Sequence, residues 1–143
     1  MSQVKSRVLL ADDHPAILDK LSQLLSPDFE IVGVVNDGAA ALAAVARLHP
    51  DIVVMDISMP VMDGIQAMRE IRKLGVNSKI VVLSALDDPA YVTCAFESGG
   101  SGYVLKSRMS SELVFALQEV LAGRIFQPRS EVPSGPQPTK QLT

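Results

Sequence analysis

Tryptophan is absent from this chain of 143 residues, tyrosine occurs twice and phenylalanine four times. With aromatics at 4%, a core has to be assembled from Leu, Val, Ile, Ala and Met. A single cysteine, Cys94, excludes an internal disulfide, and its apolar helical surroundings read as those of a buried, inert thiol. No apolar run approaches the ~18 residues that span a bilayer, and the polar start Met1-Ser2-Gln3-Val4-Lys5 has no signal-peptide core. A basic excess is missing too. Thirteen Lys and Arg face sixteen Asp and Glu for a net charge of -3, which argues against a nucleic-acid-binding surface. Neither a Gly-x-Gly-x-x-Gly nor a Gly-x-x-x-x-Gly-Lys pattern follows the first apolar run, so nucleotide cradles are disfavoured. What these absences leave is a soluble, cytoplasmic domain with no membrane partner, and its 48% hydrophobic content suffices for one core.

What is present is an alternation. Apolar runs at Arg7 to Ala11, Phe29 to Val35, Asp51 to Asp56, Lys79 to Ser84 and Gly102 to Lys106 read as five strands. Between them lie helical patterns. Pro15 opens the first at a position where its missing N–H costs nothing, and Ser26-Pro27 stops it. Asp37 caps an Ala-rich second helix running to about Leu48. A third follows Asp63-Gly64 with Gly75 as its C-cap, a fourth spans Pro89 to about Ser98, and a fifth runs from about Ser110 to Ala122 before Gly123. Strands apolar on both faces, alternating with helices, imply a parallel sheet covered on both sides. Right-handed crossovers and five units favour an α/β, flavodoxin-like three-layer sandwich of strand order 2-1-3-4-5. From Gln127 onward the texture changes, with Pro128, Pro133, Pro136 and Pro138 set among Ser, Gly and Gln. Residues 1–124 are therefore expected to form the folded domain and 125–143 a Pro-rich linker of a longer protein.

Five polar residues stand where apolar runs end: Asp12 and Asp13 after strand one, Asp56 after strand three, Ser84 after strand four and Lys106 after strand five. A parallel sheet brings all of these ends to one edge, where open α/β folds bind ligands. Three neighbouring carboxylates repel one another by a few kcal/mol per close pair at an effective dielectric near 20. An all-oxygen set relieved by a divalent cation suits Mg²⁺ better than zinc or copper. A carboxylate is a competent nucleophile towards phosphorus, and phosphoryl transfer depends mostly on charge placed around the moving oxygens. Asp56 is the candidate acceptor, with Lys106 and the Ser84 hydroxyl around the phosphate. Taken singly, Asp12-Asp13 or Asp56 could merely cap helices, Ser84 fill a turn and Lys106 sit in solvent. Their coincidence at one edge favours chemistry.

These residues resemble the receiver domain of bacterial two-component response regulators over about Val8 to Gly123. The matching pieces are Ala11-Asp12-Asp13-His14-Pro15, Met55-Asp56-Ile57-Ser58-Met59-Pro60, Met62-Asp63-Gly64, Ser84-Ala85 and Gly102-Tyr103-Val104-Leu105-Lys106. The resemblance implies that Asp56 is the phosphoacceptor of a sensor histidine kinase. It implies that Asp13 and Asp56 bind Mg²⁺ directly, Asp12 through water, and the Ser58 backbone carbonyl completes the ligands. Ser84 and Tyr103 would be a switch pair whose aromatic ring rotates inward, and Lys106 would pair with the phosphate. The Asp-Asp-His-Pro start and Lys106-Ser107 look like the LuxR/NarL-type subfamily, whose helix-turn-helix domain would lie beyond Gln141-Leu142-Thr143. DNA would then be bound only through that domain, and phosphorylation could drive a homodimer. Many receivers have a Pro, often cis, after the conserved lysine; Ser107 leaves that bond's geometry open.

Two rival readings exist. A haloacid-dehalogenase-type phosphohydrolase also forms an aspartyl-phosphate, but it resembles an Asp-x-Asp pattern, and here Ser58 stands two after Asp56. A receiver-like interaction module that works without phosphorylation usually loses an acid or the lysine, and this chain keeps them all. The expectation is therefore a phosphoacceptor switch and not a turnover enzyme. His14 reads as a surface residue near the pocket. His14 and His49 are too far apart in sequence to argue for a metal site between them.

Overall fold

Alternation within the strands decides the architecture. In the computed structural model, which describes residues 4–59 and 61–128, β1 (Arg7–Ala11), β3 (Ile52–Asp56), β4 (Lys79–Ser84) and β5 (Gly102–Leu105) are buried almost throughout. Together with β2 (Glu30–Val35) they form one parallel sheet of order β2-β1-β3-β4-β5, as the sequence leads one to expect. Side chains of successive residues point to opposite faces, so each strand feeds two cores. Val8, Leu10, Ile52, Val54, Val81, Leu83 and Val104 meet Leu21 and Leu25 of α1 (Pro15–Leu25) and Leu113, Leu117 and Val120 of α5 (Met109–Leu121). Leu9, Ala11, Val53, Met55, Ile80, Val82 and Tyr103 meet α2 (Gly38–Leu48), α3 (Gly64–Lys73) and α4 (Pro89–Glu97).

The helices begin where the sequence marks them. Asp37, Asp63 and Asp88 each accept a backbone N–H of the first turn of α2, α3 and α4, at 2.7, 2.8 and 2.9 Å. Pro15 starts α1, but the preceding His14 contributes no side-chain cap. β5 stops one residue early. Lys106 is not its last residue; it opens a short 3₁₀ turn, Lys106–Arg108, leading into α5. Cys94 is half-buried and not fully enclosed, because one side of α4 faces solvent. All peptide bonds among the described residues are trans, the one between Lys106 and Ser107 included. Past α5 the chain returns to the sheet. The Tyr103 N–H donates to the Phe126 carbonyl at 2.9 Å, and the Phe126 N–H donates to the Ser101 carbonyl at 3.1 Å. The remaining prolines from Pro133 on, and Gln141-Leu142-Thr143, lie outside the described residues. No helix among the described residues is long and apolar enough to cross a membrane.

Val61, in the loop between β3 and α3, holds a left-handed backbone with φ of 70°, and its side chain is exposed. For a β-branched residue that conformation costs on the order of 1–3 kcal/mol. Glycine removes the strain but adds about 0.5–1 kcal/mol of unfolded-state entropy. Val61→Gly is therefore expected to raise stability by about 1 kcal/mol, read as a higher urea midpoint. A lower midpoint would show that the loop gains nothing from the relief.

Candidate functional site

The sheet register sets Asp12 and Asp56 side by side. Ala11 pairs with Met55, so the next residue of each strand leaves the same edge in step. Asp56 pairs with Leu83 and Ser84 with Leu105, which brings Ser84 and then Lys106 to that edge as well. Asp12 and Asp56 are enclosed, at 1% and 3% exposure. Neither caps a helix: Asp63 caps α3, and the Asp12 carboxylate accepts the His14 backbone N–H at 2.9 Å.

Lys106 reaches across the sheet edge. Its ammonium lies 3.1 Å from Asp12 Oδ2 and 3.2 Å from Asp56 Oδ2. Ser58 is exposed, and its backbone N–H donates to Asp56 Oδ1 at 3.1 Å. Asp13 lies at the rim with a third of its side chain in solvent. Burial pushes the Asp56 carboxyl above its ordinary value of 3.8 and the negative Asp12 adds to this, while the Ser58 N–H and Lys106 oppose it.

This shift has a sign that can be measured. The folded state keeps a proton on Asp56 over a pH window above 3.8 where the unfolded chain has already lost it. The native state then binds more protons, so stability falls as pH rises through that window. Asp56→Asn removes the ionisation. The variant is expected to resist urea better than the wild type at neutral pH without divalent cations, with the difference shrinking below pH 3.8. An Asn variant that is less stable at neutral pH would contradict this electrostatic picture.

Ser84 and Tyr103 meet through Leu86. The Leu86 N–H donates to the Ser84 hydroxyl at 3.0 Å, and the Tyr103 hydroxyl donates to the Leu86 carbonyl at 2.8 Å. The Tyr103 ring is turned inward and fully buried.

His14 is at the surface beside the pocket, as its place in the sequence suggests, and its ring makes a contact that spacing alone does not show. Its ring is 57% exposed, yet Nδ1 turns into the acidic group, 2.7 Å from Asp12 Oδ1, 3.1 Å from Asp13 Oδ1 and 3.8 Å from Asp56 Oδ2. The signal was its place directly after two acids that end a strand. One ligand atom from each of Asp12, Asp13, His14 and Asp56 lies within 4.8 Å of the others. Mg²⁺ prefers oxygen donors and sets opposite ligands about 4.2 Å apart, so carboxylates gathered within 4.8 Å are of the right kind and near the right span to hold it. Asp12 Oδ2 supports that fit. It is buried and faces Lys106, yet accepts no well-directed hydrogen bond.

Comparison with known proteins agrees with this geometry. The family profile described as "response regulator receiver domain" matches residues 8–118. The transcriptional regulatory protein DegU of Brevibacillus brevis is 34% identical over 88% of this chain and 54% of its own length. A protein-glutamate methylesterase/protein-glutamine glutaminase of a Nocardioides species is 40% identical over 89% of this chain and 36% of its own. The chain thus spans about half or less of these two relatives. The crystal structure of a LuxR-family two-component response regulator from an Aurantimonas species superposes with a TM-score of 0.81 at 36% identity, covering 85% of this chain and 89% of that one. With its motifs, strand order and acidic edge all in agreement, this chain belongs to the response regulator receiver domain family.

Proposed function

We propose that this domain is the phosphorylation switch of a cytoplasmic, LuxR/NarL-type transcription regulator, with Asp56 as the acceptor and a sensor histidine kinase as the donor. The observation that carries the reading is the enclosure of Asp56 between Asp12 and Lys106, with its Oδ2 3.2 Å from the ammonium. A carboxylate oxygen of Asp56 forms the new bond to phosphorus while the donor's bond to phosphorus breaks, and the donor leaves with the electron pair. Lys106 then faces the charge that builds on the transferred oxygens, and Ser84 donates its hydroxyl to one of them. Mg²⁺, when bound, neutralises the crowded carboxylates and the incoming phosphoryl group. Asp13 and Asp56 would hold it directly, Asp12 through water, and the Ser58 carbonyl would complete the protein ligands.

Output runs through Ser84 and Tyr103. When the Ser84 hydroxyl turns to the phosphate it gives up the Leu86 N–H, and Leu86 is the residue to which Tyr103 is tied. That shift biases the surface of α4, β5 and α5 towards a homodimer or towards release of a C-terminal DNA-binding domain. The resemblance to DegU and to a LuxR-family regulator favours transcription as the output over the methylesterase alternative. The test is incubation with acetyl phosphate and intact-mass measurement, with Mg²⁺ or with EDTA. The wild type is expected to gain one phosphoryl group with Mg²⁺ and none with EDTA. Equal uptake in both would overturn the metal-dependent reading, and no uptake at all would favour an interaction module that works without phosphate.

A further inference from the structure

Gly38 is the first residue of α2, buried, with no positive φ. Glycine is a poor helix former, so neither backbone conformation nor helix propensity calls for it here. The helix start is already fixed by Asp37, whose carboxylate accepts the Ala40 N–H at 2.7 Å. What calls for glycine is the neighbouring chain. A Cβ at position 38 would overlap the Met62 carbonyl oxygen, and would stand 2.7 Å from the Met62 carbonyl carbon and 2.9 Å from Met62 Cβ. Met62 is half-buried and packs on the core beneath α2 and α3. Just beyond it, Gly64 lies against the Asp56 and Ile57 backbone with no room for a Cβ, and its N–H donates to the Ile57 carbonyl at 2.7 Å. The chain entering α3 is thus held between the start of α2 and the acceptor strand, backbone on backbone at both contacts. Ser58 follows Ile57 directly, and its N–H donates to Asp56 Oδ1 at 3.1 Å.

We propose that Gly38 is a positioning residue for phosphoryl acceptance. Its missing side chain lets α2 brace the Met62 carbonyl, and that brace keeps Gly64 seated on Asp56-Ile57 and Ser58 directed at the acceptor. Gly38 is assigned no contact with phosphate or metal; it acts through the chain between β3 and α3. Close-packed backbone transmits a push instead of absorbing it, so a methyl group at position 38 drives Met62 towards the acceptor strand. The effect on Mg²⁺ rests on the proposed function, in which the Ser58 carbonyl is a metal ligand. The effect on the Ser58 N–H does not.

Amide NMR and calorimetric titration with MgCl₂ test this on the wild type, Gly38→Ala and Gly33→Ala. Gly33, in β2, is crowded as well: a Cβ there would stand 3.0 Å from the Leu9 side chain and 3.2 Å from that of Leu48, at the far end of α2. Its near neighbours are core side chains and not the backbone before α3. Without metal, Gly38→Ala is expected to shift the Ser58 amide resonance and speed its hydrogen exchange, while Leu117 in α5 stays unmoved and reports that the variant is folded. Mg²⁺ affinity should fall about tenfold, the low end of the loss when a ligand's supporting group is removed. Gly33→Ala should match the wild type in both respects. Coupling runs both ways, so bound Mg²⁺ should also shift the Gly38 amide of the wild type, a reading that needs no variant. An unmoved Ser58 resonance in Gly38→Ala, equal effects in Gly33→Ala, or a Gly38 amide indifferent to bound Mg²⁺ would overturn the brace. Failure of the wild type to bind Mg²⁺ would overturn the metal reading instead, and the Ser58 resonance would then decide the brace.

Discussion

Lys106→Met is expected to cost about 3 kcal/mol of stability in metal-free buffer and to slow phosphoryl uptake on the order of 100-fold. The two losses have different origins. Asp12 and Asp56 keep only 1% and 4% of their side chains in water, and Lys106 sits 3.1 and 3.2 Å from them. Removing one partner of such a group strands buried charge, which typically costs about 3–5 kcal/mol. The low end applies because Lys106 is itself 16% exposed and because His14 remains beside the same carboxylates. The kinetic loss follows from removing a fixed donor that faces developing negative charge, worth roughly 10²–10³ in rate. Urea unfolding and timed intact-mass measurement separate the two. Added Mg²⁺ should recover part of the stability but not the rate. A variant as stable as the wild type would show that the ammonium is not what balances the acids.

Gly64→Ala should be similarly damaging, although it changes no charge. Gly64 opens α3 and its N–H donates to the Ile57 carbonyl at 2.7 Å, which lays the helix start against the backbone of the acceptor strand. A Cβ there would collide with the Asp56 carbonyl oxygen and stand 2.8 Å from the Ile57 Cα. Both are backbone atoms that cannot turn aside, so the top of the usual overpacking range, about 3 kcal/mol, is expected. For a domain of this size that is roughly a 10 °C fall in Tm. Because the strain falls on Asp56 itself, phosphate uptake should drop along with Tm even well below the transition. A fall in Tm with uptake unchanged would show that the loop relaxes without moving the acceptor.

How far the sequence reveals this fold depends on the range of the forces involved. The strands were legible because Ile52 to Met55 and Val81 to Leu83 are apolar at every position, which only a sheet covered on both faces demands. Helix starts were legible because Asp37 and Asp63 satisfy backbone donors within a few residues and because Pro89 suits the first turn of α4. The site was legible because a parallel sheet brings strand ends together, so Asp12, Asp13, Asp56, Ser84 and Lys106 could be gathered from chain positions alone. Three features were not legible, and each depends on contacts distant in sequence. Phe126 pairs with β5 only after the chain reverses at Gly123, and its ring meets Phe115 edge-on at 6.1 Å. Val61 becomes left-handed in a loop crowded against the starts of two helices, where Gly38 abuts the Met62 carbonyl and Gly64 that of Asp56. The His14 ring orientation is set by where the carboxylates converge, and spacing between histidines says nothing of that.

The central claim is that phosphate is accepted on one carboxylate, and locating the phosphate tests it most directly. Wild type and Asp56→Asn would be incubated with acetyl phosphate and Mg²⁺, reduced with borohydride to trap any aspartyl-phosphate, digested and mapped by mass. The account predicts one trapped site, at Asp56 in the wild type, and none in the variant. Phosphate carried at another residue of the wild type, or equal uptake by Asp56→Asn, would contradict it.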